Sequence, residues 1–384
     1  MDVHLWKIKI TMNYRERYSQ LNSCFDLGKN CDVKDSGVRI RFFDFTSKLP
    51  DEKRLNIFSS SDAGIAENLI FKYPVFLPGG ADRYDNAILL LHGLNERSWN
   101  KYLTWAEYLA KHVGVPVILF PIAYHMNRAP HTWSNPRDMT KVMNVRKERF
   151  RSDRTMSFAN VALSNRLSEH PDRFYLSGKQ TLLDMIQLFE EIKDGRHPLF
   201  KEGAGINIFA YSIGAFLSQI ALMDNQKNLF ADSRLFMFCG GSIFSSMSGV
   251  SRSIMDRLAF SKLRQYYIYF FGHEPKSLWL RDTVFASFWK MISPSRYRDE
   301  RERFFESSLN RISGIALSKD VVIPYFGVQQ AMGRHNAVQS IKLQDFPFAY
   351  SHENPFPHNE KDTSAVNKAF EDTFSAAASF LSAY

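Results

Sequence analysis

The run Ile206–Phe216 begins as an apolar strand, breaks into a short turn and continues as a helix-forming stretch. The turn reads Ala-Tyr-Ser-Ile-Gly, with Ser212 at its centre. A tight turn between a strand and a helix needs small residues, and Ala210 and Gly214 supply them. Such a turn presents the serine hydroxyl clear of the backbone and beside the helix N-terminus, where a base can activate it. The segment therefore predicts a strand–turn–helix unit with a nucleophilic serine.

An earlier segment, Ala87–Asn95, indicates a buried strand that runs into a His-Gly loop. Acyl transfer needs two backbone N–H donors for the oxyanion, one from the residue after the nucleophile and one from a loop behind an early strand. Here these donors would be the amides of Ile213 and Leu94, and Gly93 would let the backbone approach closely. We expect His92 to hold this loop by hydrogen bonds rather than to transfer protons.

Downstream of the serine, two strand patterns lead to an acid and to a histidine. Asp320 follows the first strand at its carboxyl end, and His352 lies in the short loop after the last strand. Two alternatives stay open. Asp345, seven residues before His352, is a second candidate acid, although it falls inside the last strand pattern. His358, in the same proline-rich loop, is a second candidate base, although His352 comes first after the strand.

These motifs and their order resemble those of the α/β-hydrolase superfamily, from roughly Phe71 to the C-terminus. Ala210 departs from the commonest form of the turn, which has glycine there. The resemblance implies Ser212 as nucleophile, His352 as general base and Asp320 as the acid that orients the imidazole. It implies a serine hydrolase that cleaves a carboxylic ester, thioester or amide through an acyl-enzyme and without a cofactor. The alternatives are a peptidase or an acyltransferase on the same residues, or a non-catalytic binding protein on a degenerate hydrolase fold.

Alternating strand and helix patterns predict an α/β fold with a doubly wound, mainly parallel sheet, a helical cap insertion and an N-terminal extension. We expect the extension to pack on the core, and Val38–Phe45 has an alternating pattern typical of a hairpin. The predicted units are the extension 1–68, the core 69–243 and 309–384 with an insertion at 123–175, and the helical cap 244–308.

Composition favours a soluble enzyme that acts on a small molecule. The net charge of +9 is spread along the chain without a basic block, so no nucleic-acid partner is expected. No apolar run reaches ~18 residues and the N-terminus lacks a signal pattern, so we expect no membrane partner and a cytoplasmic location. Three cysteines do not make a disulfide framework, and no metal-ligand spacing occurs. Met1 and Met12 are both candidate start residues.

The insertion and the cap follow strands at their carboxyl ends, the edge at which open α/β sheets bind ligands. Arg128 would bind an anionic group there, or would pair with an acid and hold the loop. We therefore expect a medium-sized, partly apolar ester, which would carry an anionic end if Arg128 faces the substrate. The candidate substrate-contacting residues are His92, Asn95, His125, Arg128 and Tyr211. The cap aromatics expected to line an apolar chamber are Phe260, Tyr266, Tyr267, Phe270, Phe271, Trp279, Phe285, Phe288 and Trp289.

Overall fold

The computed structural model describes residues 13–48, 62, 64–271 and 282–383. The candidate start residues Met1 and Met12, and Trp279 of the expected aromatic chamber, lie outside these ranges.

In the described part of the chain, nine strands form one sheet in the order β1-β2-β3-β5-β4-β6-β7-β8-β9. Every pairing from β5 across to β9 is parallel, whereas the pairings among β1, β2, β3 and β5 are antiparallel. The predicted mainly parallel sheet is therefore confirmed. The strands are β1 (Cys31–Asp32), β2 (Arg39–Thr46), β3 (Ile70–Leu77), β4 (Tyr84–Leu91), β5 (Val117–Leu119), β6 (Phe200–Tyr211), β7 (Leu235–Phe238), β8 (Ile312–Leu317) and β9 (Ile341–Gln344).

Helices cover both faces of the sheet, and this explains why its central strands are continuous apolar runs rather than alternating ones. Along β4, Leu89 and Leu91 belong to one buried cluster and Ile88 and Leu90 to another, because successive side chains of a strand point to opposite faces. The helices are α1 (Tyr14–Cys24), α2 (Ala66–Leu69), α3 (Asn100–Val113), α4 (Pro136–Arg149), α5 (Val161–Glu169), α6 (Arg173–Lys193), α7 (Ile213–Asp224), α8 (Arg257–Gln265), α9 (Thr283–Lys290), α10 (Arg298–Ser307), α11 (Tyr325–Met332), α12 (Arg334–Ser340) and α13 (Thr363–Leu381).

Helices α6 and α7 contribute to the cluster on one face of the sheet, and α1, α3 and α13 contribute to the cluster on the other face. Helix α6 begins at Arg173, directly after the turn at Pro171 and Asp172. Its first turn is stabilised by tertiary contacts, because Tyr175 is buried against aromatic residues that follow β7, among them Phe271 and Phe288. No helix in the described ranges has the length and apolar character needed to cross a membrane.

The described part of the N-terminal extension is integrated with the rest of the molecule. Strand β2 pairs with β3 along its whole length, so Val38–Phe45 is not a hairpin but most of one strand. Its two antiparallel partners are β1 and β3. Helix α1 packs beside α3, where Arg17 forms a largely buried ion pair with Glu107.

The insertion at 123–175 and the cap at 244–308 pack against each other through α5 and α8. A buried ion pair joins them, with Arg146 Nε and Nη2 lying 2.6 and 2.9 Å from the two carboxylate oxygens of Asp256. Asp256 also caps α8, accepting a hydrogen bond from the Ala259 amide. The two segments therefore form one continuous layer, and cavities lie between this layer and the ends of the central strands.

Candidate active site

Ser212 lies between the end of β6 and the start of α7, with φ 56° and ψ −121°. A positive φ is rare and strained for a residue with a β-carbon, and such strain concentrates at functional sites. The following helix touches the end of β4 closely. A Cβ added to Gly214 would lie 2.8 Å from Leu91 Cβ and 2.9 Å from the carbonyl oxygen of His92. Glycine at this position is therefore required for the turn to sit against β4.

A chain of hydrogen bonds links Ser212 to two side chains from distant segments. Ser212 Oγ lies 2.7 Å from His352 Nε2, and His352 Nδ1 lies 2.7 Å from Asp320 Oδ2. Asp320 Oδ1 accepts hydrogen bonds from the amides of Val322 and Ile323, each at 2.9 Å. All three linked side chains are buried. Because an ionised carboxylate can only accept, the imidazole carries its proton on Nδ1 and leaves Nε2 free to accept the serine proton.

The alternative acid and base lie away from this chain of hydrogen bonds. Asp345 is exposed, accepts a hydrogen bond from Tyr350 Oη at 2.8 Å and pairs with Lys319 Nζ at 3.1 Å. His358 is exposed and stacks on the ring of Tyr18 with centroids 4.5 Å apart. The structure thus brings Ser212, Asp320 and His352 together and leaves the two alternatives on the surface.

Tyr211 packs against the loop that contains His352 and does not line a cavity. Its hydroxyl donates a hydrogen bond to the carbonyl oxygen of His352, and its ring stacks on the imidazole at 5.4 Å. Lys101 Nζ donates to the carbonyl of the next residue, Glu353, at 2.8 Å. Tyr211 is only 1% exposed and lines neither cavity, so the structure shows its side chain in contact with His352 and not at a surface open to a substrate.

The backbone amides of Leu94, in the loop after β4, and of Ile213, directly after Ser212, have no acceptor among the described residues. Gly93, just before, donates its own amide hydrogen bond to Tyr102 Oη at 3.0 Å, which holds the loop in place. The side chains of Leu94 and Ile213 both line the same cavity. Free N–H groups at such a position can stabilise a developing oxyanion.

The two histidines that follow β4 and β5 differ in their hydrogen bonding. His92 Nδ1 donates to the Gly93 carbonyl at 2.8 Å and its Nε2 accepts from the Ile122 amide at 2.9 Å, so both ring nitrogens are used. His92 is therefore engaged through both ring nitrogens in holding the loop. His125 Nδ1 donates to the Ala123 carbonyl at 2.9 Å, whereas its Nε2 is buried without a partner in the described part of the chain.

Arg128 pairs with an acid, which is the second of the two roles that the sequence left open for it. Its side chain is fully buried, its Nη2 pairs with Asp184 Oδ2 at 2.7 Å, and its Nε and Nη2 donate to the Asn68 carbonyl. A buried guanidinium needs a counter-ion, and Asp184 on α6 supplies it. Asn95 donates to the carbonyls of Ala159 and Ser253 at 2.9 and 2.6 Å, so it ties the insertion to the cap while it lines a cavity.

Two adjoining cavities share part of their lining, namely Leu94, His125, Phe174 and Ser177. The first, here called the apolar pocket, extends to Phe288 of the cap. The second, here called the arginine pocket, lies on the side of the insertion. The arginine pocket is also lined by Asn95, Glu96, Arg97, Tyr124, Ala129, Trp133, Ser134, Ala162, Leu163, Arg166, Leu167 and Arg173.

The expected aromatic chamber is formed only in part by cap residues. Phe288 lines the apolar pocket, but Phe270 is 57% exposed, and Tyr267 is buried between Phe174 and Phe244. Phe174 of α6, which lies outside every motif of the sequence, lines both pockets. Among the described residues, no group of three or more His, Cys, Asp or Glu side chains could hold a metal ion.

A model of a family described as a family of unknown function, DUF6051, matches residues 12–382. No curated protein matches the sequence. Among solved structures, the esterase Est22 is 14% identical, with a TM-score of 0.48 over 96% of this chain and 86% of that chain. Carboxyl esterase 2 from the mycorrhizal fungus Tuber melanosporum is 9% identical, with a TM-score of 0.46 over 96% and 98% of the two chains. Vibralactone cyclase is 11% identical, with a TM-score of 0.46 over 95% and 86%.

Proposed function

This chain belongs to the DUF6051 family and has the α/β-hydrolase fold, and we propose that it is a serine hydrolase that cleaves a carboxylic ester through an acyl-enzyme. The observation that carries the proposal is the unbroken chain of hydrogen bonds from Ser212 through His352 to Asp320. A serine hydroxyl is a weak nucleophile by itself, and a base held within hydrogen-bond distance is what activates it.

In the first half of the proposed reaction, Ser212 Oγ attacks the ester carbonyl carbon while His352 Nε2 takes the serine proton. The amides of Leu94 and Ile213 donate to the oxyanion that forms, and Asp320 stabilises the imidazolium. The C–O bond to the alcohol then breaks, and His352 returns its proton to the leaving oxygen. In the second half, water attacks the acyl-enzyme with His352 as base and releases the acid.

The enclosure of the site supports a small substrate. The two pockets meet at Leu94 and lie beneath the layer formed by the insertion and the cap, with Phe174 and Phe288 on their walls. Concave sites with apolar walls and a few polar groups are typical of small-molecule binding. A medium-sized, partly apolar ester is therefore the proposed substrate class.

A fluorophosphonate probe and an activated ester such as 4-nitrophenyl butyrate test the proposal. We expect the wild-type protein to be labelled and to hydrolyse the ester, and Ser212→Ala to lose labelling and about 10⁴-fold or more in kcat. Ser375→Ala, on the exposed side of α13, is the matched control and should retain both. Labelling of Ser212→Ala, or no labelling of folded wild-type protein, would contradict the proposal. The second result would favour the binding-protein alternative.

A further inference from the structure

The arginine pocket has an excess of positive charge over its described acidic partners. Arg166 donates to both carboxylate oxygens of Asp62 at 2.9 and 2.8 Å, and Arg173 Nε lies 3.0 Å from the same carboxylate. Glu96 pairs with Lys101 Nζ at 2.5 Å. Asp62 and Glu96 are therefore already paired with other cations, and Arg97 has no acidic partner among the described residues.

Arg97 makes no hydrogen bond and no ion pair with any described residue, and its Nη2 is buried. Burial without a counter-ion lowers the pKa of Arg97 below its usual range. A buried guanidinium without a counter-ion raises the free energy of the folded protein. A bound carboxylate would lower that free energy, because it accepts two hydrogen bonds from the guanidinium and neutralises its charge. The neighbouring His125 cannot act as that anion, since it is a neutral imidazole with an accepting Nε2.

The position of Arg97 connects it to the proposed reaction. It follows Leu94 by three residues in the same loop, and both residues line the arginine pocket. A substrate whose carbonyl oxygen lies at the Leu94 amide can thus extend one end into the apolar pocket and the other toward Arg97. Trp133 and Tyr124 on the pocket wall would exclude water from that second end.

We propose that Arg97 binds a carboxylate of the substrate and thereby makes the enzyme selective for esters with one apolar and one anionic end. This inference rests on the proposed serine hydrolase activity. The Arg97 guanidinium donates two parallel hydrogen bonds to the carboxylate oxygens. The proposed substrate thus keeps the anionic end considered in the sequence analysis, but Arg97 and not Arg128 binds it.

Two isosteric ester pairs test this inference, one for each side of the scissile bond. The first is the 4-nitrophenyl monoester of glutaric acid against the corresponding glutaramic acid ester, and the second is the butyryl ester of 4-hydroxybenzoate against that of 4-hydroxybenzamide. For at least one pair we expect wild-type kcat/KM to favour the carboxylate by roughly 10-fold to 100-fold, the range of a charge-assisted hydrogen bond. In Arg97→Gln that ratio should fall to about 1, and in Arg97→Lys it should be intermediate.

Arg137→Gln is the matched control, because it removes the same charge from an exposed position on α4 and should keep the wild-type ratio. A wild-type ratio near 1 in both pairs, in protein that is labelled by the fluorophosphonate probe, overturns the inference and leaves the hydrolase proposal standing. An unchanged ratio in Arg97→Gln overturns it as well. If Arg97→Gln does not fold, the ratio of Arg97→Lys decides, since a wild-type value there contradicts the forked geometry. No labelling and no turnover by wild-type protein overturn both proposals.

Discussion

Asp320 uses its two carboxylate oxygens for different contacts. One accepts from His352 Nδ1, and the other accepts from the amides of Val322 and Ile323 in the turn that follows Asp320. The backbone therefore determines which oxygen faces the imidazole, and burial keeps water from competing for it. Asp345 has neither feature, because it is exposed and its partners are Tyr350 and Lys319.

Asp320→Asn should lower kcat on an activated ester by a factor on the order of 10⁴, by analogy with other serine triads. An amide can donate to Nδ1, which would move the imidazole proton to Nε2 and prevent it from accepting the serine proton. Asp345→Asn should leave kcat within about twofold, because surface substitutions away from such contacts have small effects. Steady-state kinetics of both variants, with circular dichroism to verify folding, decide the point. The reverse ranking would identify Asp345 as the acid.

At the scale of elements, the site depends on how closely α7 packs against the end of β4. The register of β4 and β6 pairs Leu91 with Ala210, so the two strands end side by side just before the Leu94 loop and Ser212. A larger residue than glycine at 214 would meet backbone, and backbone cannot rotate away as a side chain can. Helix α6, in contrast, contains Gly178 with no atom within 4 Å of an added Cβ.

Gly214→Ala should lower the free energy of unfolding by about 1–3 kcal/mol, the usual cost of overpacking, and should lower kcat because it displaces the Leu94 loop. Gly178→Ala should raise the free energy of unfolding by about 0.5–1 kcal/mol, because alanine loses less backbone entropy in a helix. Urea denaturation of the two variants beside wild type measures both shifts. If Gly214→Ala and wild type have equal free energies of unfolding, the end of β4 can move to accommodate the added methyl group without destabilising the fold, and the prediction is wrong.

Across the whole molecule, three buried histidines couple folding to pH. Burial lowers the pKa of His125 and of His197 to about 4, and that of His92 well below its usual range. His197 Nδ1 accepts a hydrogen bond from the Leu199 amide at 3.2 Å. A proton on Nδ1 would therefore point at the Leu199 N–H and break this hydrogen bond. In the unfolded chain these histidines take up protons near pH 6.5, whereas in the folded chain they do not. Their stabilising effect is therefore complete above about pH 6.5 and is lost as the pH falls toward 4.

Asp184 has the opposite effect on the pH dependence of stability. Burial raises its pKa, so as the pH falls the folded state binds a proton at Asp184 before the unfolded state does. The contribution of one histidine is therefore measured best as a difference between variants. Between pH 7 and pH 5, wild type should lose about 2 kcal/mol more unfolding free energy than His197→Gln, which cannot titrate. His335→Gln, at an exposed position on α12, is the control and should follow wild type. Parallel curves for wild type and His197→Gln would contradict the assignment.

The local units of this protein are encoded in short stretches of its sequence. The turn around Ser212, the apolar strands and the order of serine, acid and histidine were readable because each depends on neighbours in the chain: small residues at the turn, continuous apolar runs in parallel strands and a helix behind them. The fold class followed from those units. The N-terminal strand was less readable, because its pairing with β3 joins segments separated by a long stretch of chain.

Only the tertiary structure decided which charged side chains meet. Arg128 was a reasonable substrate ligand until Asp184, 56 residues away on α6, proved to be its partner. Asp62 pairs with Arg166 across 104 residues, and Arg97 is left without an acid by the same packing. Ion pairs depend on distances of 3–4 Å between groups that the chain brings together only on folding, and no local pattern encodes them. The sequence already favoured Asp320 over Asp345, and in the structure Asp320 is the acid within hydrogen-bond distance of His352.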